Sequence, residues 1–356
     1  MKINKRINSF VILGKFLNQF KNQGNRELTS GLDPILSDEF DELIKKVHIY
    51  NPWFVEVNVR NAIEAIAKSL NENDLVEWVS HYINQISTDK KEKQVAVIMA
   101  GNIPMVGFHD MLCVLMSGNK FIGKLSSDDK YLLPFVAKIL IAIEPEFNDY
   151  FEFTEGQLKG MDAVIATGSN NSARYFEYYF GKYPHIIRKN RNSVAVFTGN
   201  ESTDELKLLA NDVFFYFGLG CRNVSKLFVP KSYVFDTLFE SVFHFNSVVN
   251  NNKYANNYDY NRTVYLMANT PSLLDNNFLL LKEDKGYSSP IGVLYFEYYD
   301  DLESLNKRLE ADKEQIQCIV SSCSSIQNTV PFGQAQCPAL MDYADGVDTM
   351  NFLASL

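Results

Sequence analysis

Short apolar segments alternate with amphipathic helical segments through the middle of this chain, and this alternation constrains the fold more than any other feature. Four largely apolar runs predict strands at 95–100, 120–125, 163–166 and 193–197. Helical periodicity between them predicts helices at 109–117, at 132–143 and in a segment that ends near Phe180. Because apolar strands joined by crossover helices form parallel sheets buried on both faces, we expect an α/β fold with a doubly wound domain.

The regions on either side predict further elements. Before about residue 90, apolar residues at helical spacing predict helices over 3–17, from Ser37 onward, and over 61–70 and 75–86. Beyond the fourth strand, we expect strands at 224–230, 291–296 and 316–320, with a helix at 302–313. The asparagines at 250–252 and 256–257 predict a polar loop.

Charge and composition exclude several classes of protein. The net charge of −9 argues against nucleic acid as a partner, because phosphate binding needs a basic surface. No apolar run approaches the roughly 20 residues of a membrane span. The basic first ten residues are not followed by an unbroken apolar stretch, so we expect no signal peptide and a cytoplasmic protein. Five cysteines fit a reduced compartment, and five scattered histidines predict no metal site.

One cysteine has an unusual local sequence. A helix predicted from Ser202 or Thr203 to Phe217 leads into Gly218-Leu219-Gly220-Cys221, and a strand follows. Glycines allow close approach of the backbone to a ligand, and loops held by rigid elements often carry reactive groups. The segment is compatible with a nucleophilic thiolate or with a buried structural cysteine, and the second interpretation is the commoner one for a cysteine considered alone.

Small and polar residues stand where three predicted strands end, at 101–104, 124–127 and 167–172. In open parallel sheets, ligands bind at the carboxyl ends of the strands. The third segment also opens a helix, whose N-terminal amides suit a pyrophosphate. No G-x-G-x-x-G follows the first strand. Each segment also has a structural interpretation: a turn at Asn102, a solvated Lys124, and a helix cap at Thr167 or Ser169.

Taken in order, these segments resemble the aldehyde dehydrogenase superfamily over roughly residues 95 to 350. The matching elements are an Asn two residues before a Pro, a G-N stop, a strand ending in Lys, a T-G-S loop and a Cys after a glycine turn. They correspond to Asn102-Ile103-Pro104, Gly118-Asn119, Lys124, Thr167-Gly168-Ser169 and Cys221. The blocks at 101–128 and 331–348 resemble one branch in particular, the LuxC-type acyl-CoA reductases, which reduce fatty acyl groups.

The resemblance implies roles for some of the matched residues. Cys221 would be the acyl-accepting nucleophile, and Asn102 would donate to the oxyanion. The implied cofactor-binding residues are Lys124, Ser126, Ser127, Thr167, Gly168 and Ser169. The first two would hold the adenosine ribose, and Ser169 would contact the pyrophosphate. The neutral Ser127 favours NADPH, with NADH as the other candidate, and we expect Asp128 and Asp129 to begin the next helix and point away.

The resemblance to the aldehyde dehydrogenase superfamily also implies a domain organisation. We expect an aldehyde dehydrogenase-like fold with a Rossmann-type NAD(P)-binding domain at 91–189 and a second α/β domain at 190–330 that carries the catalytic thiol. Residues 1–90 would form a helical segment on the cofactor domain. Residues 331–356 would return to that domain.

Three departures from the superfamily pattern are informative. Aldehyde-oxidising members carry a water-activating Glu in an E-L-G-G motif, where this chain has 188–193 without a carboxylate. The E-x-F-G-P stretch, whose Glu holds the nicotinamide ribose, is replaced by 287–292. The segment between Ile86 and Gln94 is too short for the superfamily's oligomerisation hairpin. We therefore expect a monomer, or a dimer built differently.

The implied activity is reduction of an acyl thioester, carried by coenzyme A or an acyl carrier protein, to an aldehyde. The enzyme would be an oxidoreductase that forms an acyl-Cys intermediate and uses NADPH or NADH. Two alternatives share the fold: an acyl-phosphate reductase and an aldehyde-oxidising dehydrogenase. A third belongs to another class, a non-catalytic acyl-carrier or scaffold protein.

Overall fold

A computed structural model describes residues 1–22, 32–86 and 91–356 of the chain. Their contacts divide the chain into two units, Met1–Lys189 with Ala339–Leu356, and Asn190–Pro338. The chain thus leaves the first unit once and returns to it near its end. The functions expected of the two units, cofactor binding and catalysis, stay predictions. Residues 87–90, in the segment judged too short for a hairpin, lie outside the described ranges.

The first unit begins with amphipathic helices, as predicted. They are α1 (Ile3–Leu17), α2 (Pro34–Lys46), α3 (Glu56–Ser69) and α4 (Glu72–Ser80). The predicted start of α2 at Ser37 is wrong, because Pro34 takes the first helical position and the Asp33 carboxylate accepts the Ile35 N–H at 2.9 Å. Helix α4 also ends earlier than the predicted residue 86.

A five-stranded parallel sheet follows. It contains β1 (Gln94–Ile98), β2 (Lys120–Lys124), β3 (Phe151–Thr154), β4 (Ala163–Thr167) and β5 (His185–Arg188), in the order β3-β2-β1-β4-β5. The connecting helices are α5 (Phe108–Ser117), α6 (Leu132–Ile143) and α7 (Asn170–Phe180). The predicted β1, β2 and β4 are confirmed. β3 and β5, which are short strands at the two edges of the sheet, were not predicted.

The strand order creates a switch point between β1 and β4. The chain runs outward from β1 through β2 to β3, and then returns to place β4 on the other side of β1, with Ile98 paired to Ala166. The loops after β1 and β4 therefore begin side by side and diverge. In doubly wound sheets, the crevice at such a point is where ligands bind.

The second unit is built on a mostly parallel seven-stranded sheet. Its strands are β6 (Asn192–Val196), β7 (Val224–Pro230), β8 (Leu274–Asp275), β9 (Leu280–Glu283), β10 (Val293–Tyr299), β11 (Ile316–Val320) and β12 (Thr329–Val330). They lie in the order β12-β11-β6-β7-β10-β9-β8, and only β8 is antiparallel to its neighbour. The helices are α8 (Thr203–Phe214), α9 (Asp236–Val242), α10 (Asn252–Met267) and α11 (Leu302–Ala311).

The polar loop predicted around residues 250–257 is wrong, because α10 begins at Asn252 and a 3₁₀ segment ends at Asn250. The Asn251 side chain caps this helix by accepting the N–H groups of Lys253 and Tyr254 at 3.0 and 3.2 Å. Tyr254 and Tyr258 are buried on one face of the helix. Asparagine is less favourable than alanine in a helix, by less than about 1 kcal/mol per residue. Burial of two aromatic side chains outweighs this cost.

The returning segment, which ends in α12 (Thr349–Ala354), is bound to the first unit by buried polar groups. The Arg188 guanidinium donates two hydrogen bonds to the Asp110 carboxylate, at 2.7 and 2.9 Å, and a third to the Thr349 hydroxyl at 2.9 Å. Trp78 Nε1 donates to the Tyr343 hydroxyl at 2.7 Å. Within the described ranges, no helix combines the length and apolar character needed to cross a membrane.

Candidate active site

Helix α8 leads directly to Cys221 and has a strongly defined start. The Ser202 hydroxyl accepts the Glu205 N–H at 3.2 Å, while the Glu205 carboxylate accepts the Ser202 N–H at 2.8 Å, which completes a capping box. The prediction placed this start correctly but extended the helix to Phe217. The α-helix ends at Phe214, and a short 3₁₀ segment, Phe215–Gly218, follows it.

The chain turns sharply within that segment. Tyr216, Phe217 and Gly218 are three consecutive residues in the left-handed region, with φ of 53°, 57° and 78°. Glycine adopts this conformation readily, whereas for a bulky residue it costs on the order of 1–3 kcal/mol. Both aromatic side chains are buried, and the rings of Phe217 and Tyr254 lie 6.0 Å apart. Their burial offsets the backbone strain.

Hydrogen bonds hold the main chain on both sides of Cys221. The Asn223 side chain accepts the Gly220 N–H at 2.8 Å and donates to the carbonyls of Phe215 and Asp212 at 2.6 and 3.2 Å. The Ser193 hydroxyl, from β6, donates to the Cys221 carbonyl at 3.0 Å. The Cys221 side chain is exposed. The turn thus presents a solvent-accessible thiol from a constrained backbone.

A second thiol lies close to this turn. Cys318 Sγ, on β11, is 3.0 Å from the same Ser193 hydroxyl. Burial raises the pKa of the Cys318 thiol, so it is protonated near neutral pH. Burial also raises the pKa of Cys113 well above its ordinary value. The proximity of Cys318 to Cys221 was not predicted, because no local pattern links β6 with β11.

Behind the turn, a buried carboxylate joins α8 to the segment after β12. Asp212 is fully buried and accepts the N–H groups of Gly333 and Ala335 at 2.6 and 2.9 Å. Burial raises its pKa to about 7, against the opposing effect of these two donors. Arg222 Nη1 also contacts the Ala335 carbonyl, at 3.4 Å. The Pro331-Phe332-Gly333-Gln334 stretch that carries part of the LuxC resemblance is therefore fixed to the helix preceding Cys221.

In the first unit, the loop that carries Asn102 packs on the loop after β2. Gly101 has a φ of 71°, and a Cβ there would lie 2.5 Å from Ser126. Asp129 joins the same two loops, because its carboxylate accepts the Met105 N–H at 2.9 Å. Burial raises the Asp129 pKa to about 6. Asn102 is half-buried at the carboxyl edge of β1.

The predicted ribose-binding residues lie at the end of β2 and just beyond it. Lys124 is its last residue and donates to the Glu155 carbonyl. Ser126 is half-buried, and Ser127 and Asp128 are exposed. The expectation that Asp128 and Asp129 begin the next helix is wrong, since α6 starts at Leu132. Asp129 is instead turned inward to Met105, which leaves Ser127 and Asp128 as the accessible side chains of this loop.

The T-G-S segment forms the start of α7. Thr167 ends β4, and the Ser169 hydroxyl caps the helix by accepting the Ser172 N–H at 3.1 Å. At Gly168, a Cβ would lie 2.8 Å from Ser172 Cβ and 2.9 Å from the Phe176 ring, so only glycine fits. A glycine next to a helix N-terminus lets a phosphate group approach the backbone N–H groups. These residues fit the pyrophosphate of a dinucleotide.

The structure brings seven of the eight predicted site residues to one edge of the first sheet. Asn102, Lys124, Ser126, Ser127 and the segment 167–169 follow the carboxyl ends of β1, β2 and β4. Cys221 belongs to the second unit. Among the residues that the structure describes, no cluster of His, Cys, Asp or Glu side chains could hold a metal ion.

Two of the three departures from the superfamily pattern fall on residues with structural contacts. At the position of the missing E-L-G-G carboxylate, Arg188 is buried in its pair with Asp110. In the stretch that replaces E-x-F-G-P, Tyr287 is buried, its carbonyl accepts the Ser225 hydroxyl at 2.6 Å, and its own hydroxyl donates to Asp312 at 2.5 Å. Arg188 and Tyr287 are therefore both buried residues whose hydrogen bonds stabilise the fold.

The fold is shared with aldehyde dehydrogenases of known structure. Aldehyde dehydrogenase 21 from Physcomitrella patens, solved with succinate, is 13% identical with a TM-score of 0.61, over 91% of this chain and 74% of that one. An aldehyde dehydrogenase from Bacillus cereus, solved with NAD⁺, is 13% identical with a TM-score of 0.58, over 90% and 72%. Glyceraldehyde-3-phosphate dehydrogenase from Methanocaldococcus jannaschii, solved with NADP, is 14% identical with a TM-score of 0.53, over 87% and 74%.

The sequence itself gives a more specific match. A comparison with curated proteins yielded no relative of this chain. Residues 67–236, however, match the family model for acyl-CoA reductase (LuxC). That range contains all eight predicted site residues, including Asn102 and Cys221. Residues 67–236 are therefore similar to acyl-CoA reductases (LuxC), and the chain is folded as in the aldehyde dehydrogenases.

Proposed function

We propose that this protein reduces an acyl-CoA thioester to the aldehyde by way of an acyl group carried on Cys221. The observation that carries the proposal is the exposed Cys221 thiol, presented by a constrained turn inside the region that matches acyl-CoA reductases. Two other cysteines, Cys113 and Cys318, have pKa values raised by burial, which disfavours the thiolate. Cys337 is exposed but lies outside the matched region.

In the first step, the Cys221 thiolate attacks the thioester carbonyl and forms a tetrahedral oxyanion. The Cys221 N–H and the Asn102 side-chain amide are the donors that the family resemblance implies for this oxygen. Loss of one such donor typically reduces the rate on the order of 10²–10³-fold. Collapse breaks the carbon–sulfur bond to coenzyme A, whose thiolate leaves. Because the leaving thiol resembles cysteine in pKa, the transfer is nearly isoenergetic.

The second step requires a reduced nicotinamide cofactor, which supplies a hydride to the acyl carbon when it is bound. We assign its adenosine ribose to Lys124 and Ser126, and its pyrophosphate to Thr167, Gly168 and Ser169. With hydride supplied, Cys221 Sγ would hold the reduced acyl group as a thiohemiacetal anion. Cys221 would then leave as the thiolate as the aldehyde is released, which would return the enzyme to its starting state.

Aldehyde oxidation by water is disfavoured by the segment 188–193. Hydrolysis of an acyl-enzyme needs a positioned base, and this segment contains no carboxylate. Its first residue, Arg188, is committed to Asp110 and Thr349. A site without a water-activating base preserves the acyl-enzyme for reduction.

Intact-protein mass spectrometry after incubation with acyl-CoA, without cofactor, tests this proposal. We expect one acyl adduct on the wild type, mapped to Cys221 and lost in Cys221→Ala, and oxidation of NADPH or NADH when cofactor is added. Cys337→Ala, which removes the other exposed thiol, is the control and should keep the adduct. An adduct that persists in Cys221→Ala would refute the mechanism, and faster acylation by an acyl phosphate would favour that substrate instead.

A further inference from the structure

We infer that Asn223 is a positioning residue for the nucleophile, because it holds the left-handed turn at Tyr216–Gly218 in the form that presents Cys221. The inference rests on the proposed function in one respect, the role of Cys221 as acyl acceptor. The geometry of the turn is independent of that role. Asn223 does not contact the reacting atoms in this assignment, and acts through the backbone on which Cys221 is carried.

The hydrogen bonds of Asn223 span the strained part of the turn. Its amide nitrogen donates to the Phe215 carbonyl, one residue before the first left-handed residue, at 2.6 Å. Its side-chain oxygen accepts the Gly220 N–H, beyond the last of them, at 2.8 Å. Its own backbone N–H donates to the Gly220 carbonyl at 3.0 Å. One buried side chain, 2% exposed, therefore clamps both ends of the turn.

Such a clamp is needed because the backbone conformation is unfavourable by itself. Tyr216 and Phe217 are both bulky residues at positive φ, and such residues persist only where the surroundings determine their conformation. The burial of their rings supplies part of this constraint. Burial alone does not fix the direction in which the chain leaves the turn, whereas the bond from Gly220 to Asn223 fixes the residue immediately before Cys221.

The chemistry of the clamp requires an amide. Asn223 accepts one hydrogen bond at one end of the turn and donates two others. A carboxylate or an apolar side chain has no donor, and a hydroxyl has only one. Aspartate keeps an acceptor for Gly220 but loses the donors to Phe215 and Asp212. Alanine loses all three bonds and leaves buried backbone groups without partners.

The test compares Asn223→Ala and Asn223→Asp with wild type, and Asn119→Ala serves as the control. Asn119 is a buried asparagine of the first unit whose side chain also makes three hydrogen bonds, with Lys93, Ser117 and Leu353. Four quantities are measured on the full chain: the cofactor-free rate of Cys221 acylation by acyl-CoA, the affinity for acyl-CoA, the thermal midpoint, and hydrogen exchange at the Gly220 amide.

We expect the acylation rate to fall at least tenfold in Asn223→Ala and less in Asn223→Asp, while acyl-CoA affinity changes less than about twofold. Gly220 exchange should accelerate in Asn223→Ala. Asn119→Ala should lower the thermal midpoint but keep the acylation rate within about twofold of wild type. An Asn223→Ala protein that acylates at the wild-type rate, or whose loss of rate Asn119→Ala reproduces, would overturn the inference.

The same measurements distinguish a failure of the proposed function from a failure of the inference about Asn223. In that case the wild type itself would not be acylated at Cys221, whereas accelerated Gly220 exchange in Asn223→Ala would still establish the clamp. If the Gly220 amide exchanges as slowly in Asn223→Ala as in wild type, the clamp is overturned, whether or not Cys221 is acylated. If Asn223→Ala does not fold, the acylation rate of Asn223→Asp decides, because this variant keeps the Gly220 bond but loses the donors to Phe215 and Asp212. Acylation of Asn223→Asp at the wild-type rate would then overturn the inference.

Discussion

The hydroxyl of Ser193 donates a hydrogen bond to the carbonyl oxygen of Cys221 across 3.0 Å, from strand β6 to the turn before β7. The strands themselves pair nearby, with Ser193 opposite Val224. Ser193 is fully buried. The bond therefore ties the backbone of the proposed nucleophile to β6, an inner strand of the second sheet.

Ser193→Ala should weaken acylation of Cys221 and reduce stability modestly. A single hydrogen bond contributes about 0.5–1.5 kcal/mol, so we expect up to a tenfold slower acylation rate and a comparable loss in free energy of unfolding. Acylation is followed by mass spectrometry and stability by urea denaturation. Ser241→Ala is the matched control, since Ser241 is buried in the same unit and donates to the Thr237 carbonyl at 2.7 Å. Equal loss of acylation in both variants would contradict a specific role for Ser193.

The cysteines should differ in their reactivity toward iodoacetamide at pH 8. Cys221 and Cys337 are exposed, whereas burial raises the pKa of Cys113 and of Cys318. We expect Cys221 and Cys337 to be alkylated first, and Cys113 and Cys318 at least tenfold more slowly, because both access and thiolate content fall. Peptide mapping over time measures this, and unfolding in urea should equalise the rates. Native labelling of Cys318 as fast as Cys337 would show that β11 opens.

Stability should carry a pH-dependent contribution from Asp212. Its pKa is raised to about 7, so between about pH 4 and 7 the folded state binds more protons than the unfolded state. By linkage, this group lowers stability as pH rises through that window. Asp212→Asn removes the titration, so the free energy of unfolding of wild type relative to the variant should be higher at pH 5 than at pH 8. Urea denaturation at both values measures the difference, and a pH-independent difference would contradict the raised pKa.

Cofactor preference should depend on Ser127. A neutral, exposed side chain at this position accommodates a 2′-phosphate, and Asp129 is turned away toward Met105. We expect kcat/KM to be at least as high with NADPH as with NADH. Ser127→Glu should shift the ratio at least tenfold toward NADH, since one charge pair at 4 Å is worth about 4 kcal/mol at an effective dielectric of 20, before desolvation.

Ser127→Ala, which adds no charge, should leave that ratio within about threefold of wild type. A wild-type enzyme that strongly prefers NADH would show that Asp128, also exposed, faces the ribose. In that case Asp128→Asn should restore the use of NADPH.

Local patterns predicted much of the scaffold around the site. The helix start at Ser202 or Thr203, the glycine turn and the strand after Cys221 are all short-range features, and the structure contains them. The end of α8 at Phe214 was not predictable from periodicity, because Phe217 continues the apolar spacing. What ends the helix is a turn closed by Asn223, whose partners depend on the folded geometry.

The long-range contacts of the site could not be predicted from the sequence, because they too depend on the folded geometry. The bond from Gly333 to Asp212 and the proximity of Cys318 to Ser193 join residues that are distant in sequence. An isolated Asp in a helix or a Cys in a strand carries no local signal of such a partner. The inward turn of Asp129 also depends on contact with Met105, so the helix predicted to begin there starts later.

The return of residues 339–356 to the first unit has a consequence for the order of folding during synthesis. Arg188 and Trp78 leave the ribosome long before Thr349 and Tyr343, to which they donate hydrogen bonds. The whole second unit is made in the interval. The second unit can therefore complete its native contacts before the first unit does. Until Thr349 is synthesised, Arg188 lacks the hydroxyl to which it donates in the native structure. Molecular chaperones that act on the nascent chain would meet the first unit with its closing segment still missing.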